Sequence, residues 1–71
     1  MNSQERKESI LMAAKHLFSV NGYYQTQISD IHRAAGVARG TVYQYFKSKD
    51  DIFETLLERL YQDWERLLAA S

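Results

Sequence analysis

Residues 26–46 read TQISDIHRAAGVARGTVYQYF, and this stretch decides the fold. Apolar residues recur at helical spacing on both sides of Gly36, which can adopt the left-handed backbone of a tight turn. The pattern predicts a short second helix that ends at Gly36 and turns inward Ile28, Ile31, Ala34 and Ala35. A third helix, roughly residues 38–46, follows with Val42 and Phe46 inward. Helix, glycine turn and helix together outline a helix-turn-helix.

Each small or branched residue near the turn of this motif has a predicted packing role. Ala34 and Ala35 allow a close helix crossing, Val37 fills the corner, and Val42 holds the third helix against the second. The outer face of the third helix then carries Arg39, Thr41, Tyr43, Gln44 and Tyr45, followed by Lys47 and Lys49. Basic, hydroxyl and aromatic groups near a helix N-terminus suit base edges and phosphates.

The residues before this motif predict a first helix from Gln4 to about Val20. Ser3 is its expected N-cap, and Asn21-Gly22 is its expected end, since both residue types tolerate a positive φ. Its inward stripe is predicted to contain Ile10, Ala14, Leu17 and Phe18. Thr26 is expected to cap the second helix by accepting a bond from an N–H near Ser29.

A fourth helix is predicted from Ser48 to about Ala69. Ser48 and Asp51 have the spacing of a capping box, and Asp50 and Asp51 suit the positive end of the helix dipole. Twenty helical residues span roughly 30 Å, which is more than three short helices can cover. We therefore expect a bare distal stripe, either an interaction surface or the contact of a missing neighbour: Leu60, Trp64, Leu67 and Leu68.

The whole chain has 71 residues, with nine Lys and Arg, nine Asp and Glu, and no Cys or Pro. This length predicts one small domain, which buries only about 60% of its unfolded surface and leaves little room for an enclosed active site. Without cysteine, disulfides and Cys-based metal sites are excluded. The sequence has neither a long uncharged apolar run nor a signal-peptide core, so we expect a cytoplasmic protein without membrane contact.

The zero net charge hides an uneven distribution. Residues 1–49 hold seven basic and three acidic side chains, a net +4, and residues 50–71 hold two basic and six acidic ones, a net −4. This asymmetry favours one surface that meets a polyanion and one that does not.

We predict no enzyme activity, no metal site and no cofactor. His16 and His32 lie sixteen residues apart without a flanking carboxylate pattern, and we interpret both as surface residues. The segment from Gly36 to Gly40 follows no strand and lacks a Gly-Lys-Ser/Thr, so it is not a phosphate-binding loop. No group of residues forms an acid–base or nucleophilic pattern.

Several motifs together resemble the DNA-binding domain of the tetracycline-repressor (TetR) family, between about Ile10 and Leu57. They are Gly22-Tyr23, Thr26, Ile28-Ser29-Asp30-Ile31, Ala34-Ala35-Gly36-Val37, Gly40-Thr41-Val42-Tyr43, Tyr45-Phe46-Lys47-Ser48-Lys49 and Ile52. The resemblance implies a homodimeric bacterial transcriptional regulator, usually a repressor released by a small effector molecule. It implies an all-α fold: a homeodomain-like three-helix domain in residues 1–49, with its turn at 36–38, and a long fourth helix in residues 50–71. A ligand-binding and dimerising C-terminal domain normally follows and is absent from these residues.

The resemblance also implies roles at matched positions on double-stranded operator DNA. Thr26 and Gln27 would begin the second helix beside a phosphate, Arg39 would read a base, and Gly40 would let the backbone approach. Thr41, Tyr43 and Tyr45 would contact phosphates or thymine methyl groups, and Lys49 would contact a phosphate at the head of the fourth helix. Gln44 and Lys47 complete the expected set of DNA-binding residues. An Arg fork can engage guanine O6 and N7 together, which is worth about 1–3 kcal/mol of discrimination.

Two residues depart from the family pattern. His32 stands where alanine is usual, which puts the pitch of the third helix in question. Ala38 replaces the usual Ser or Thr cap, at a cost of about 1 kcal/mol of helix stability. Some alternatives remain open at this point: Lys47-Ser48-Lys49 as a solvated turn, Tyr43 and Tyr45 as partly core, and the whole chain as a protein-interaction module without a DNA role.

Overall fold

The computed structural model describes residues 2–70, and these form four helices. They are α1 (Ser3–Asn21), α2 (Ile28–Ala35), α3 (Arg39–Tyr45) and α4 (Lys49–Ala70). The expected all-α architecture, with a helix-turn-helix and a long last helix, is confirmed. α1 lies at the centre of the unit, because it packs against each of the other three helices.

The two ends of α1 are set by neighbouring polar groups. Asn2 Oδ1 accepts a hydrogen bond from the Glu5 N–H at 2.9 Å, so Asn2 is the N-cap and the prediction of Ser3 was wrong by one residue. At the other end Gly22 has φ 89°, and its N–H donates to the Phe18 carbonyl at 3.0 Å. The predicted stop is therefore confirmed at Gly22, with Asn21 as the last helical residue.

The core consists of buried apolar side chains contributed by every helix. Ile31 of α2, Val42 of α3 and Ile52 of α4 are fully buried against α1, which supplies Leu11 in addition to the predicted stripe. The complete buried set is Ile10, Leu11, Ala14, Ile31, Val42, Phe46 and Ile52, with Leu17 and Phe18 packed at its edge. Each full burial of a large aliphatic side chain stabilises the fold by about 1.5–3 kcal/mol.

Thr26 occupies a different position from the one that the sequence predicted. Its side chain is fully buried, and Oγ1 lies 2.9 Å from the Gly22 carbonyl and 3.2 Å from the Leu17 carbonyl. The hydroxyl therefore donates to carbonyls at the end of α1, and the prediction that it caps α2 was wrong. α2 begins after Gln27, whose N–H donates to Asp30 Oδ2 at 2.9 Å.

The turn between α2 and α3 follows the predicted geometry with one exception. Gly36 is left-handed at φ 72°, the Val37 N–H donates to the His32 carbonyl at 3.0 Å, and Val37 packs against the core. Ala35 faces the core, but Ala34 is exposed, so its predicted role in the helix crossing was wrong. Adjacent helical residues point about 100° apart, and a stripe that includes Ala35 leaves Ala34 outside it.

The histidines differ from each other in exposure. His16 is exposed, as predicted, but His32 is half-buried, and its Nδ1 lies 3.0 Å from the Val37 carbonyl. The expectation that His32 is an ordinary surface residue was wrong, because its ring closes over the turn. Within residues 2–70 no three His, Cys, Asp or Glu side chains are grouped so that they could hold a metal ion. In the same residues no helix has the length and apolar character to cross a bilayer.

The start of α4 confirms one half of the predicted capping box. The Asp51 N–H donates to Ser48 Oγ at 3.2 Å, so Ser48 is the cap. In return, Asp51 Oδ2 accepts from the Lys47 N–H at 2.8 Å, whereas a capping box would use the N–H of Ser48. The carboxylate thus ties the end of the α3 segment to the first turn of α4.

The apolar side chains in the distal part of α4 are exposed to solvent, as the length of the helix predicted. Leu60, Trp64, Leu67 and Leu68 are between 60% and 67% exposed. An ion pair connects this helix to α1: Arg59 Nη1 donates to Glu8 Oε2 at 2.7 Å, while Nη2 contacts Oε1. This paired guanidinium lowers the pKa of the Glu8 carboxyl below its ordinary value of 4.5.

Candidate nucleic-acid interface

α3 is divided into a buried face and an exposed face. Val42 is fully buried and Phe46 is only 3% exposed, so these two residues fix the helix against the core. The opposite face presents Arg39, Tyr43 and Gln44 to the surroundings. The division places a polar, basic and aromatic surface where a second molecule can approach, as the sequence predicted for these three residues.

Arg39 is the first residue of α3 and lies on this exposed face. Its Cζ is 6.0 Å from the ring centroid of Tyr43, one helical turn further along. An exposed cation–π contact of this kind contributes about 0.5–1 kcal/mol. Among residues 2–70 no carboxylate lies within ion-pair distance of Arg39. The donors of the planar guanidinium are therefore not engaged by a carboxylate of these residues.

The other predicted contacts fall into three groups by burial. Gln27, Gly40 and Lys47 are exposed, together with Arg39, Tyr43 and Gln44. Thr41 and Tyr45 are half-buried, and Tyr45 packs against the core, whereas Tyr43 is 47% exposed. Thr26 is fully buried. Of the hydroxyl-bearing residues among the ten predicted ones, Thr26 alone has its hydroxyl committed to carbonyls of residues 2–70.

The space around Gly40 is open. A Cβ added at this residue would meet no heavy atom within 4 Å. Internal packing therefore does not require a glycine here, because alanine would fit without displacing any neighbour. The outward position of Gly40 on the first turn of α3 leaves its backbone accessible to an approaching molecule.

α3 lacks a side-chain cap. Ala38 is its N-cap residue, and it offers no acceptor beyond its own carbonyl, which receives the Thr41 N–H at 3.0 Å. The helix is also short, with seven residues, and short helices depend on tertiary packing for their stability. The anchors Val42 and Phe46 thus hold in place a helix that has little local support.

Lys49 has partners that the sequence did not reveal. Its Nζ donates to the Tyr23 carbonyl at 2.8 Å and to the Thr26 carbonyl at 3.1 Å, and it lies 4.2 Å from the ring centroid of Tyr23. The side chain is half-buried, and two of the three ammonium donors serve the chain itself. Because these partners are 26 and 23 residues away, no local pattern could have identified them.

The fold and the exposed face of α3 define a helix-turn-helix domain. The bacterial regulatory proteins of the tetR family match this chain over residues 10–56. The chain therefore belongs to the TetR family, whose members are DNA-binding transcriptional regulators. The matched range contains the whole turn and the buried anchors of all four helices.

Individual relatives agree with this assignment. The chain is 44% identical over 63 residues to the HTH-type transcriptional regulator HbdR of Aromatoleum sp. (strain CIB), covering 89% of the chain and 28% of HbdR. It is 48% identical over 59 residues to the fatty acid metabolism regulator protein of Bacillus subtilis (strain 168), covering 82% of the chain and 30% of that protein.

A solved structure has the same fold. It belongs to a Clostridium perfringens protein described as a fatty acid metabolism regulator, with a TM-score of 0.80 and 34% sequence identity. The superposition covers 87% of this chain and 34% of that one. The chain thus spans about a third or less of the length of the proteins that it matches.

Proposed function

We propose that this chain binds double-stranded DNA sequence-specifically, with α3 as the recognition helix in the major groove. The observation that carries the proposal is the division of α3, in which Val42 and Phe46 are buried while Arg39, Tyr43 and Gln44 are exposed. A helix fixed on one side and polar on the other can enter a groove without losing its place in the core.

The proposed contacts follow from exposure. Arg39 reads a base edge, since its guanidinium is unpaired by carboxylates within residues 2–70 and can form two parallel bonds with guanine. Gln27, Lys47 and the Tyr43 hydroxyl contact phosphates, which set affinity and register rather than sequence preference. The accessible backbone at Gly40 allows close approach to the groove.

We further propose that the protein acts as a repressor on a palindromic operator. Two copies place their α3 helices in successive major grooves about 34–36 Å apart, which is the spacing of dimeric helix-turn-helix proteins. Residues 1–49 form the DNA-binding part, and α4 connects it to a dimerising domain that binds a small effector. The support for these points is membership of the family.

Selection of binding sites from a random duplex pool by the full-length dimer tests the proposal. We expect one enriched palindrome, and an affinity for it that falls steeply with salt, because each neutralised phosphate contributes a slope of about −0.9 in log K against log salt. Failure to enrich any sequence, with a slope near zero, would overturn the proposal.

Arg39→Ala tests the base-reading role directly. We expect this change to remove about 1–3 kcal/mol of discrimination between bases at one base pair of each half-site. The base preferences at the other positions of the operator should stay the same. The matched control is Arg66→Ala, because Arg66 is exposed on distal α4 and its nearest partner is Asp63 at 3.4 Å. An unchanged ranking of operator variants with Arg39→Ala would show that Arg39 reads no base.

A further inference from the structure

The Lys49 side chain links the two segments that flank the helix-turn-helix. Residues 27–46 contain the motif, residues 23–26 precede it, and Lys49 follows it. The Lys49 ammonium joins the two flanks through the Tyr23 carbonyl at 2.8 Å and the Thr26 carbonyl at 3.1 Å. The Lys49 side chain therefore connects the segment that leads into α2 with the first turn of α4, which leads away from α3.

Both partners of Lys49 are themselves fixed. The Tyr23 ring lies in an aromatic cluster, with its centroid 5.2 Å from that of Phe18 and 5.0 Å from that of Phe53. Thr26 is fully buried and donates to the end of α1. Hydrogen bonds from an ammonium are roughly twice as strong as neutral ones, and the Tyr23 ring adds a cation–π contact at 4.2 Å. The Lys49 ammonium thus adds a further link between these two residues and the start of α4, at the peptide that leads into α2.

We propose that Lys49 is a positioning residue, which holds the beginning of α2 in place for the DNA backbone, rather than a phosphate ligand. This inference rests on the proposed DNA-binding function. The carbonyl of Thr26 is one peptide bond from the backbone N–H of Gln27, the exposed residue proposed to contact a phosphate. Fixing the Thr26 carbonyl therefore fixes the position of Gln27 before DNA arrives.

The hydrogen bonds of the Lys49 ammonium favour this role over a direct phosphate contact. Two of the three Lys49 donors are engaged by carbonyls, so a phosphate could use only the third without replacing one of these bonds. Loss of the bond to the Thr26 carbonyl would leave a partly buried acceptor without this donor, which is costly. Lys47, two residues earlier, is exposed and is free of such a conflict. Because folding already orders Gln27, DNA binding loses less conformational entropy at this residue, and the affinity for DNA is higher.

Salt titration of DNA binding separates the two roles. In the full-length protein, Lys49→Met removes the ammonium but keeps an unbranched stem against the Tyr23 ring. We expect the affinity for the selected operator to fall about tenfold at fixed salt, with the slope of log K against log salt unchanged. Lys47→Met is the matched control, and for it we expect the slope to become shallower by about 0.9.

A double-mutant cycle measures the coupling between Lys49 and Gln27 in DNA affinity, which a general loss of stability would not produce. If Lys49 acts through Gln27, Gln27→Ala will weaken binding in the wild type but will have little further effect in Lys49→Met. Circular dichroism fixes the folded fraction of each variant, and affinities are expressed per folded molecule. Where Lys49→Met folds poorly, Lys49→Gln, which retains a donor for one carbonyl, gives an intermediate variant for the same cycle.

The outcomes distinguish this inference from the function on which it rests. A slope that becomes shallower by about 0.9 with Lys49→Met would identify a phosphate ligand and overturn the positioning role alone. Additive effects of Lys49→Met and Gln27→Ala would overturn it as well. A wild-type protein that selects no duplex would overturn the proposed DNA-binding function itself.

Discussion

The two halves of α4 carry the same kind of apolar stripe in different surroundings. In the first half Ile52 is fully buried and Leu56 packs against the core, whereas in the second half Leu60 and Leu67 are 65% and 67% exposed. The helix is continuous; its core contacts include Ile52 and Leu56, and the Glu8–Arg59 ion pair joins it to α1 one turn further on. The difference teaches that amphipathic spacing identifies an apolar face but not what covers it.

Two truncations on this one helix give the largest predicted contrast. Ile52→Ala should lower the free energy of unfolding by about 2–5 kcal/mol, because it leaves a cavity among fixed neighbours. Leu67→Ala should change it by no more than about 0.5 kcal/mol, since the side chain has little contact to lose. Urea unfolding of the 71-residue chain measures both values.

A loss for Leu67→Ala as large as that for Ile52→Ala would show that the distal stripe is covered within the chain. If Ile52→Ala prevents folding, Ile52→Val gives a smaller expected loss of about 0.5–1.5 kcal/mol and preserves the contrast with Leu67.

A smaller effect is expected at the start of α3, the least locally supported helix of the packed region. Ala38→Ser supplies an acceptor for the N–H groups of the first turn, and should raise the free energy of unfolding by about 1 kcal/mol. Ala34→Ser is the control, because Ala34 is exposed inside α2 and serine there adds no cap. Equal thermal shifts for both variants would mean that α3 gains nothing from a capping side chain.

The smallest effect concerns the ion pair at the boundary between the two regions. The guanidinium of Arg59 lowers the pKa of Glu8, so the stabilisation is present above 4.5 and is lost as pH falls through the folded-state pKa. The two side chains are 39% and 37% exposed, and solvent screening limits the contribution to about 0.2–1 kcal/mol.

Glu8→Gln should therefore destabilise the chain near pH 7 and have little effect once Glu8 is protonated in the wild type. Unfolding curves at several pH values between neutral and strongly acidic conditions measure this convergence. Glu65→Gln, at an exposed site on distal α4, is the control and should show no comparable pH-dependent difference. A constant gap between Glu8→Gln and wild type at every pH would contradict the assigned role of the charge.

The errors of sequence interpretation share a physical cause. Ser3 and Thr26 were each assigned a local capping role, but Asn2 caps α1 and the Thr26 hydroxyl makes a tertiary contact instead. Thr26 shows this most clearly, because a threonine before a helix can accept from that helix or donate to another one. The carbonyls of Leu17, in α1, and of Gly22, its C-cap, decided the matter.

Local chemistry in the sequence determined the turn at Gly36, the stop at Gly22, the Ser48 cap and the buried pair Val42 and Phe46. These features depend on backbone freedom, short-range hydrogen bonds and helical spacing, all of which act within a few residues. The outward positions of Arg39, Tyr43 and Gln44 followed from the same spacing, whereas the predicted outward position of Tyr45 was wrong because its ring packs against the core. The resemblance to TetR proteins then supplied the expected partner.

Only the tertiary structure decided which polar groups meet across long stretches of chain. The Glu8–Arg59 pair joins residues 51 apart, and the Lys49 ammonium reaches carbonyls 23 and 26 residues away. A charged side chain in the sequence has many potential partners, and its actual partner depends on how helices pack rather than on its neighbours. The resemblance to TetR proteins implied a phosphate contact for Lys49. In the structure, its ammonium binds two carbonyls and so connects the two flanks of the motif.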